Sequence, residues 1–224
     1  MVMVYRMSEA VKRTYDSSRR QEQAGQNRRA ILRAAHDLFV ENGYGRTTIA
    51  DVARAAGVSA ETIYATFKNK ATILHRVWDV TVGGDDDEIV FHKRPEFTAM
   101  RAERDLAQRL RMQAPLSTAT ARRTTPFARA VQGAATSEPA AAEMVAEMNR
   151  QRYEGIGVMA REAAATGQLA VSEQECRDFI WAMTDGTLWY QLVVERGWTD
   201  ERFAQWLGNL WVAMLVKPGS KPKR

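Results

Sequence analysis

The sequence predicts an all-α protein of two domains, and three observations carry that expectation. Apolar residues recur at helical spacing along most of the 224 residues. Strand signals are nearly absent, with no sustained alternation and no Asn-Gly hairpin turn. Glycines and N-capping residues punctuate the periodic segments at the points where helices have to stop and start.

The elements follow in order. Residues 1–26 are polar and basic without periodicity and read as a disordered arm. Arg6, Lys12, Arg13, Arg19, Arg20, Arg28 and Arg29 stand there, or just after it, against Glu9, Asp16 and Glu22. Such a segment is either an adjunct to DNA binding or a solvated leader. A first helix is expected over 27–42, with Ile31, Ala35, Leu38 and Phe39 on one face and Gly43 ending it. A second covers 49–56. Thr48 caps it, Asp51 stands three residues on in a capping-box arrangement, and Gly57 occupies the terminating position. Ser59 caps a short third helix through Thr66, and a fourth runs over 70–82. The stretch from Gly83 to Pro95 is a break. Helical pattern resumes by Arg101 and continues to Ala121. Residues 122–126 then form a joint, and a further helix covers 126–136. Another covers 138–166, with Pro139 at its first position and Gly167 stopping it. Residues 172–196 form one long helix, apolar nearly all round, ended by Gly197. Thr199 caps the last helix, on which Phe203, Trp206, Leu207, Leu210, Trp211 and Met214 make an apolar stripe. About nine helices result. They divide into the arm (1–26), a small domain (27–72), a large one (73–216) and a flexible tail (217–224).

Composition narrows the function. Hydrophobic residues make up 45% of the chain and charged residues 26%, which suits a globular protein with a true core. No apolar run reaches the roughly 18 residues of a membrane span, and no signal-like apolar region opens the chain. A lone cysteine, Cys176, rules out a disulfide framework and a multi-cysteine metal site, so a reducing cytoplasm is the expected setting. Enzyme constellations are missing. His36, His75 and His92 lack metal-ligand spacing with one another, Asp85–Asp87 is contiguous rather than alternating, Cys176 has no evident base, and there is no glycine-rich phosphate loop. No cofactor or metal is expected.

The segment Thr48 to Phe67, TIADVARAAGVSAETIYATF, carries the functional signal. A helix-turn-helix needs a small residue where its helices cross, a glycine in the turn, and an apolar residue facing back from the second helix. Ala53, Gly57 and Ile63 meet these needs at mutually consistent spacing. Residues 28–74, through Gly43-Tyr44, Thr47-Thr48, Ile49-Ala50, Ala55-Ala-Gly-Val-Ser59, Thr62-Ile-Tyr64, Phe67 and Asn69-Lys70, resemble the DNA-binding domain of tetracycline-repressor (TetR) family regulators. The remainder resembles the family only in helix layout. Ala60 and Glu61 depart from the basic-then-glycine pair of many members.

What the resemblance implies is a dimeric regulator bound to a palindromic duplex operator and released by a small apolar or aromatic effector. Phosphate contacts would come from Thr47, Thr48, Ser59, Tyr64, Lys68 and Lys70. Base edges would face Ala60, Glu61, Thr62 and Thr66. Glu61 either accepts from a cytosine amino group or only caps its helix. Ala60 suits a thymine methyl. Tyr64 could instead be core, and Lys68 merely solvated, while Ile63 and Phe67 are core. Dimerisation would place two reading helices about 34–36 Å apart. It would use Trp189, Tyr190, Val193, Phe203, Trp206, Leu210 and Trp211 of the last two helices. An effector pocket would draw on Trp78, Leu110, Met112, Phe127, Met148, Tyr153, Met159 and Trp181, each of which is alternatively plain core. Gly155 and Gly157 leave room for a ligand or for a neighbouring helix. Helix four, joining the domains, would be the lever. An activator, a regulator without a ligand, and a helical interaction protein without DNA binding remain as alternatives.

Overall fold

A computed structural model describes residues 6–83 and 95–220. Within them the chain forms α1 (Arg6–Asn42), α2 (Ile49–Ala56), α3 (Ala60–Phe67), α4 (Lys70–Gly83), α5 (Pro95–Ala102), α6 (Leu106–Ala134), α7 (Pro139–Ala165), α8 (Glu173–Met183), α9 (Thr187–Trp189) continued as a π-helical stretch (Tyr190–Glu195), and α10 (Asp200–Leu215). No strand occurs among the described residues. One isolated antiparallel bridge pairs Leu169 with Val216. The chain divides into two units, residues 1–77 and 78–224, and α4 carries it across the boundary.

In the first unit, Ile31, Leu32, Ala35 and Phe39 of α1 are buried with Val52, Ala53, Ile63, Phe67, Ile73, Leu74 and Val77. The residues expected to form a disordered arm differ from expectation: α1 is helical from Arg6, and only 1–5 lie outside the described residues. The segment is rich in Glu, Gln, Arg and Ala, so helix propensity and local pairs such as Gln23 Nε2 to Asn27 Oδ1 (2.9 Å) suffice without an apolar face.

The second unit corrects three boundaries. α6 runs unbroken through the joint expected at 122–126, with Pro115 and Pro126 inside it. Proline removes one helical hydrogen bond and crowds the carbonyl four residues back. Thr118, Thr120 and Thr124 meanwhile donate to the carbonyls of Ala114, Leu116 and Thr120 (2.8–2.9 Å), so neighbouring acceptors stay satisfied. The single helix expected over 172–196 is instead broken at Thr184–Gly186. Asp185 accepts from the Thr187 amide and hydroxyl (both 2.8 Å) and restarts the chain as α9. Gly186 adopts φ +91°, and a β-carbon there would lie 2.3 Å from Thr125 Oγ1. The expected tail is anchored at its root, where the Lys217 amide donates to Gln168 O (2.9 Å); residues 221–224 lie outside the described residues.

α10 lies against α6 because Gly208 lets the backbones approach: a β-carbon at 208 would meet Ala114 Cβ at 3.3 Å. Leu106, Leu110 and Ala114 of α6 join Ile156 and Ala160 of α7, Ile180 of α8 and Phe203, Leu207, Trp211 and Leu215 of α10 in one core. Cys176 sits in it, and burial pushes its thiol up to about 11, with Glu173 adding to the effect. Gly157 makes room for a neighbour rather than a ligand. A β-carbon there would lie 2.9 Å from the guanidinium carbon of Arg177, which donates to the Tyr153 carbonyl and covers the Tyr153 ring at 3.5 Å.

Replacing Gly186 by alanine forces a β-carbon into Thr125 and a side chain into the left-handed region. Denaturant unfolding of Gly186→Ala should show a loss of about 1–3 kcal/mol or more. Adding Thr125→Ala should recover the steric part and leave the conformational part. A Gly186→Ala protein as stable as the parent would contradict the account.

Candidate nucleic-acid interface

The first unit is built to present one face of α3. The Thr48 hydroxyl accepts from the Asp51 amide (3.1 Å) while Asp51 Oδ2 accepts from the Thr48 amide (3.1 Å) and hydroxyl (2.6 Å), closing the expected capping box. These bonds, led by the one from the Thr48 hydroxyl, hold the Asp51 carboxyl below its ordinary range. α2 ends at Gly57 (φ 68°), where the Gly57 amide donates to Arg54 O (3.4 Å) and the Val58 amide to Ala53 O (3.1 Å). That pair of bonds needs a left-handed residue and turns the chain into α3. Ser59 then caps α3, accepting from the Thr62 amide (3.2 Å).

α3 inserts Ile63 and Phe67 into the core and leaves Glu61, Tyr64, Ala65 and Lys68 exposed, with Tyr64 53% accessible. Positions 61, 64, 65 and 68 share one face of a helix. That face is apolar at its centre and carries one carboxylate and one ammonium. Glu61 is engaged locally: its own amide and then the Ser59 hydroxyl lower its carboxyl, which is the capping arrangement rather than a free acceptor. Ala60 and Thr62 flank the face half-buried, and the exposed Thr66 returns its hydroxyl to Thr62 O (2.8 Å).

Two expected phosphate ligands work inside the unit. Thr47 is buried, and its hydroxyl bonds to Leu38 O (3.1 Å) and Gly43 O (3.0 Å). Lys70 turns inward: its ammonium donates to Tyr44 O (2.9 Å) and Thr47 O (3.1 Å) and sits 4.1 Å from the Tyr44 ring centre. A carbonyl-lined niche formed by the α1–α2 turn explains both corrections. Lys68 stays on the surface at φ 65° and ψ −48°, the Asn69 amide reaching Phe67 O at 2.7 Å across it. This tight, strained turn aims α4 immediately behind α3, and strain of this kind gathers at working sites. Sequence reasoning did not single out Ala65, although counting four from Glu61 finds it. It also missed Arg28, whose guanidinium lies 5.5 Å from the Phe67 ring centre.

The other expected sites are in the second unit. The eight pocket residues form no single cavity. Trp78 stacks on Phe127 (6.2 Å, 22°) and donates to Gln151 (3.0 Å); Tyr153 meets Trp181 edge-on (5.9 Å). Leu110, Phe127 and Met148 are buried, and Met112 and Met159 half-buried, Met159 beside Gln113. A cleft lies instead between α6 and α10, lined by Arg111, Pro115, Thr118, Arg122, Ala204 and Gly208 among others and by none of the eight. Of the seven expected dimer residues, Trp189, Phe203 and Trp211 are buried inside this chain, and Trp189 donates to Asp200 Oδ1 (2.8 Å). Tyr190, Val193, Trp206 and Leu210 are half-buried. The reason is periodicity: the α10 stripe is wide enough to face two ways, and its inner half is taken by α6.

Residues 31–77 match the family model described as bacterial regulatory proteins of the tetR family. This N-terminal domain is a tetR-family domain. Over 61 residues the chain is 41% identical to the HTH-type transcriptional regulator TtgR of Pseudomonas putida, a match spanning 27% of this chain and 29% of that protein. Over 53 residues it is 40% identical to the fatty acid metabolism regulator protein of Bacillus subtilis, 24% of this chain and 27% of that one. The aligned segments thus cover less than a third of either relative's length. The fold extends further. NalD of Pseudomonas aeruginosa, the secondary repressor of the MexAB-OprM multidrug efflux pump, aligns over 87% of this chain and 98% of its own at a TM-score of 0.62 and 20% identity. SmeT in its complex with triclosan aligns over 88% and 96% at 0.62 and 20%. No described helix is long and apolar enough to cross a membrane.

The different settings of the two lysines separate in experiment. Lys70→Met should lower the melting temperature, because two buried carbonyls lose their donor at a cost of about 1–3 kcal/mol. Lys68→Gln should leave melting unchanged and weaken duplex binding with a shallower salt dependence. Equal melting of both variants would remove the internal role given to Lys70.

Proposed function

We propose that the protein is a ligand-responsive transcriptional regulator, a repressor that grips a palindromic duplex operator as a homodimer in the cytoplasm and is released by a small, mainly apolar or aromatic molecule. The observation that carries this reading is the exposed face of α3, presented by a helix whose opposite side is locked into the core. A helix so held fits the major groove, where Tyr64 can bond a phosphate and pack its ring, and Glu61, Ala65 and the flanking Ala60, Thr62 and Thr66 lie near base edges. Ser59, Thr48 and the start of α2 supply amides and hydroxyls to the flanking backbone.

Dimerisation supplies the second reading helix. Tyr190, Val193, Trp206 and Leu210 support it as the half-buried remainder of the apolar faces, together with Met214 at 51% exposure. The two aromatic pairs, and the cleft between α6 and α10, are the places where an effector would act. An effector shifts the regulator only through its unequal affinity for the two states. α4 is the continuous element through which that difference would reach α3.

The test is binding of the purified protein to duplex from upstream of its own gene, against random duplex and across a salt series. Sequence-selective binding is expected to fall about tenfold or more with Tyr64→Ala, within the 1–3 kcal/mol scale of a lost DNA contact. Tyr64→Phe isolates the hydroxyl. A folded dimer with no preference for any duplex, including one selected from random sequence, would overturn the proposal in favour of an interaction module.

A further inference from the structure

We propose that the N-terminal extension of α1 is a second DNA-contacting element, a helical basic ridge that grips the phosphates flanking the site read by α3. The inference rests on the regulator reading above and deepens it.

The extension contributes nothing to packing that is visible where its burial is described. Residues 19–30 contain no buried residue, and the first in the chain is Ile31. Helix nonetheless continues back to Arg6, about 33 Å beyond Arg28 at 1.5 Å per residue. That length is close to one turn of duplex. Over residues 6–30 seven basic residues face three acidic ones, an excess of four in a chain whose net charge is +5. The charge therefore resides in the one long segment that the core does not need.

Its placement is ordered. Arg6, Arg13 and Arg20 recur every seven residues, nearly two helical turns, and so occupy one line along α1. Arg13 stands eighteen residues, five full turns, before Ile31, so that line continues the side of α1 that is buried farther on. Arg28 joins the ridge to the interface, since its guanidinium lies over Phe67 at the end of α3, one residue before the exposed Lys68. The extension thus leaves the unit beside the C-terminal end of the reading helix. Between its cations stand Ser17, Ser18, Gln21, Gln23, Gln26 and Asn27, short polar groups that suit phosphate oxygens. A periodic line of guanidinium groups about 10 Å apart fits a regular polyanion better than the irregular acidic surface of a protein.

The test is the salt dependence of operator binding for the full-length protein and for Arg6→Gln/Arg13→Gln/Arg20→Gln. Each phosphate contact contributes about 0.9 to the slope of log K against log salt. Three lost contacts should flatten the slope by about 2.7, so that raising salt from 50 to 200 mM costs the parent about 40-fold more affinity than the variant. Cognate and random duplex should weaken alike, because the ridge reads no bases, and the footprint should shorten at both ends. Unchanged melting and helicity would show that the variant is folded. A parent that binds its operator beside a variant with the same slope and footprint would overturn the ridge and leave the regulator reading intact. A parent that binds no duplex would overturn both. An acidic-protein partner would be the occupant if the slope were unchanged while Arg-to-Gln substitution abolished that association.

Discussion

The first unit depends on one ammonium group. Lys70 opens α4, yet its Nζ is placed in the turn between α1 and α2, bonded to the carbonyls of Tyr44 and Thr47 and set on the Tyr44 ring. Those carbonyls belong to a tight irregular turn and have no helical partner, so a buried donor is required there. Tyr44 packs on Phe39, and Thr47 ties the same turn to Leu38 and Gly43. The start of α4, the end of α1 and the entry to α2 are thereby held at one point. α3 is bracketed between the Gly57 turn and the strained Lys68 turn that delivers Lys70, so its orientation follows from both. A charge-assisted bond to a carbonyl is stronger than a neutral one and, being half-buried, is less screened by salt. That matters in a unit whose work is to meet a salt-sensitive polyanion.

How much of this could be read in advance depended on whether local chemistry or tertiary packing decided the matter. The caps at Thr48, Ser59, Ser172 and Thr199 and the stops at Gly43, Gly57, Gly167 and Gly197 were legible because each is settled within four residues. The helix-turn-helix followed from the same local rules. What could not be read were elements where neighbours outvote the local signal. Pro126 marks a break in isolation, but α6 is flanked by α7 and α10, and their packing carries it through. Residues 184–186 are unremarkable in sequence, apart from one glycine, yet the close approach of Thr125 makes that glycine the place where the helix has to break. Side-chain direction was the least legible feature. Thr47 and Lys70 sit in the right motif, but which way they turn depends on unpaired carbonyls that only the folded turn creates.

The second unit shows the same limit at larger scale. An apolar stripe on α10 was readable; its division of labour was not. Phe203, Leu207, Trp211 and Leu215 are fully committed to the chain's own core, while Trp206, Leu210 and Met214 lie towards the outside. Sequence hydrophobicity cannot distinguish a residue buried by its own fold from one awaiting a second copy, because both remove the same apolar area from water. Aromatic and sulfur-bearing residues raise a parallel ambiguity in the interior. Trp78 and Phe127 are stacked on one another, and the Trp78 indole N–H is already satisfied by Gln151. An aromatic pair that is closed and hydrogen-bonded must be opened before it can hold anything else, so ligand binding there would be coupled to rearrangement by necessity.

The modest chemistry of α3 bears on how such a protein could bind tightly. Its exposed face holds a carboxylate already used as a cap, a phenol, a methyl group and one ammonium. A face of this kind discriminates by shape and a few contacts but neutralises little phosphate charge. Non-specific affinity comes almost wholly from neutralised phosphates. It therefore has to come from elsewhere: from doubling the unit through a dimer, and from cations outside the reading helix. Separating the two roles has a physical advantage. The groups that set affinity can lie on a helix that packs against nothing, where substitution costs no stability, while the groups that set specificity stay on a short helix whose orientation the core enforces. The chain's charge is distributed in keeping with that separation, concentrated before Ile31 and sparse on α3.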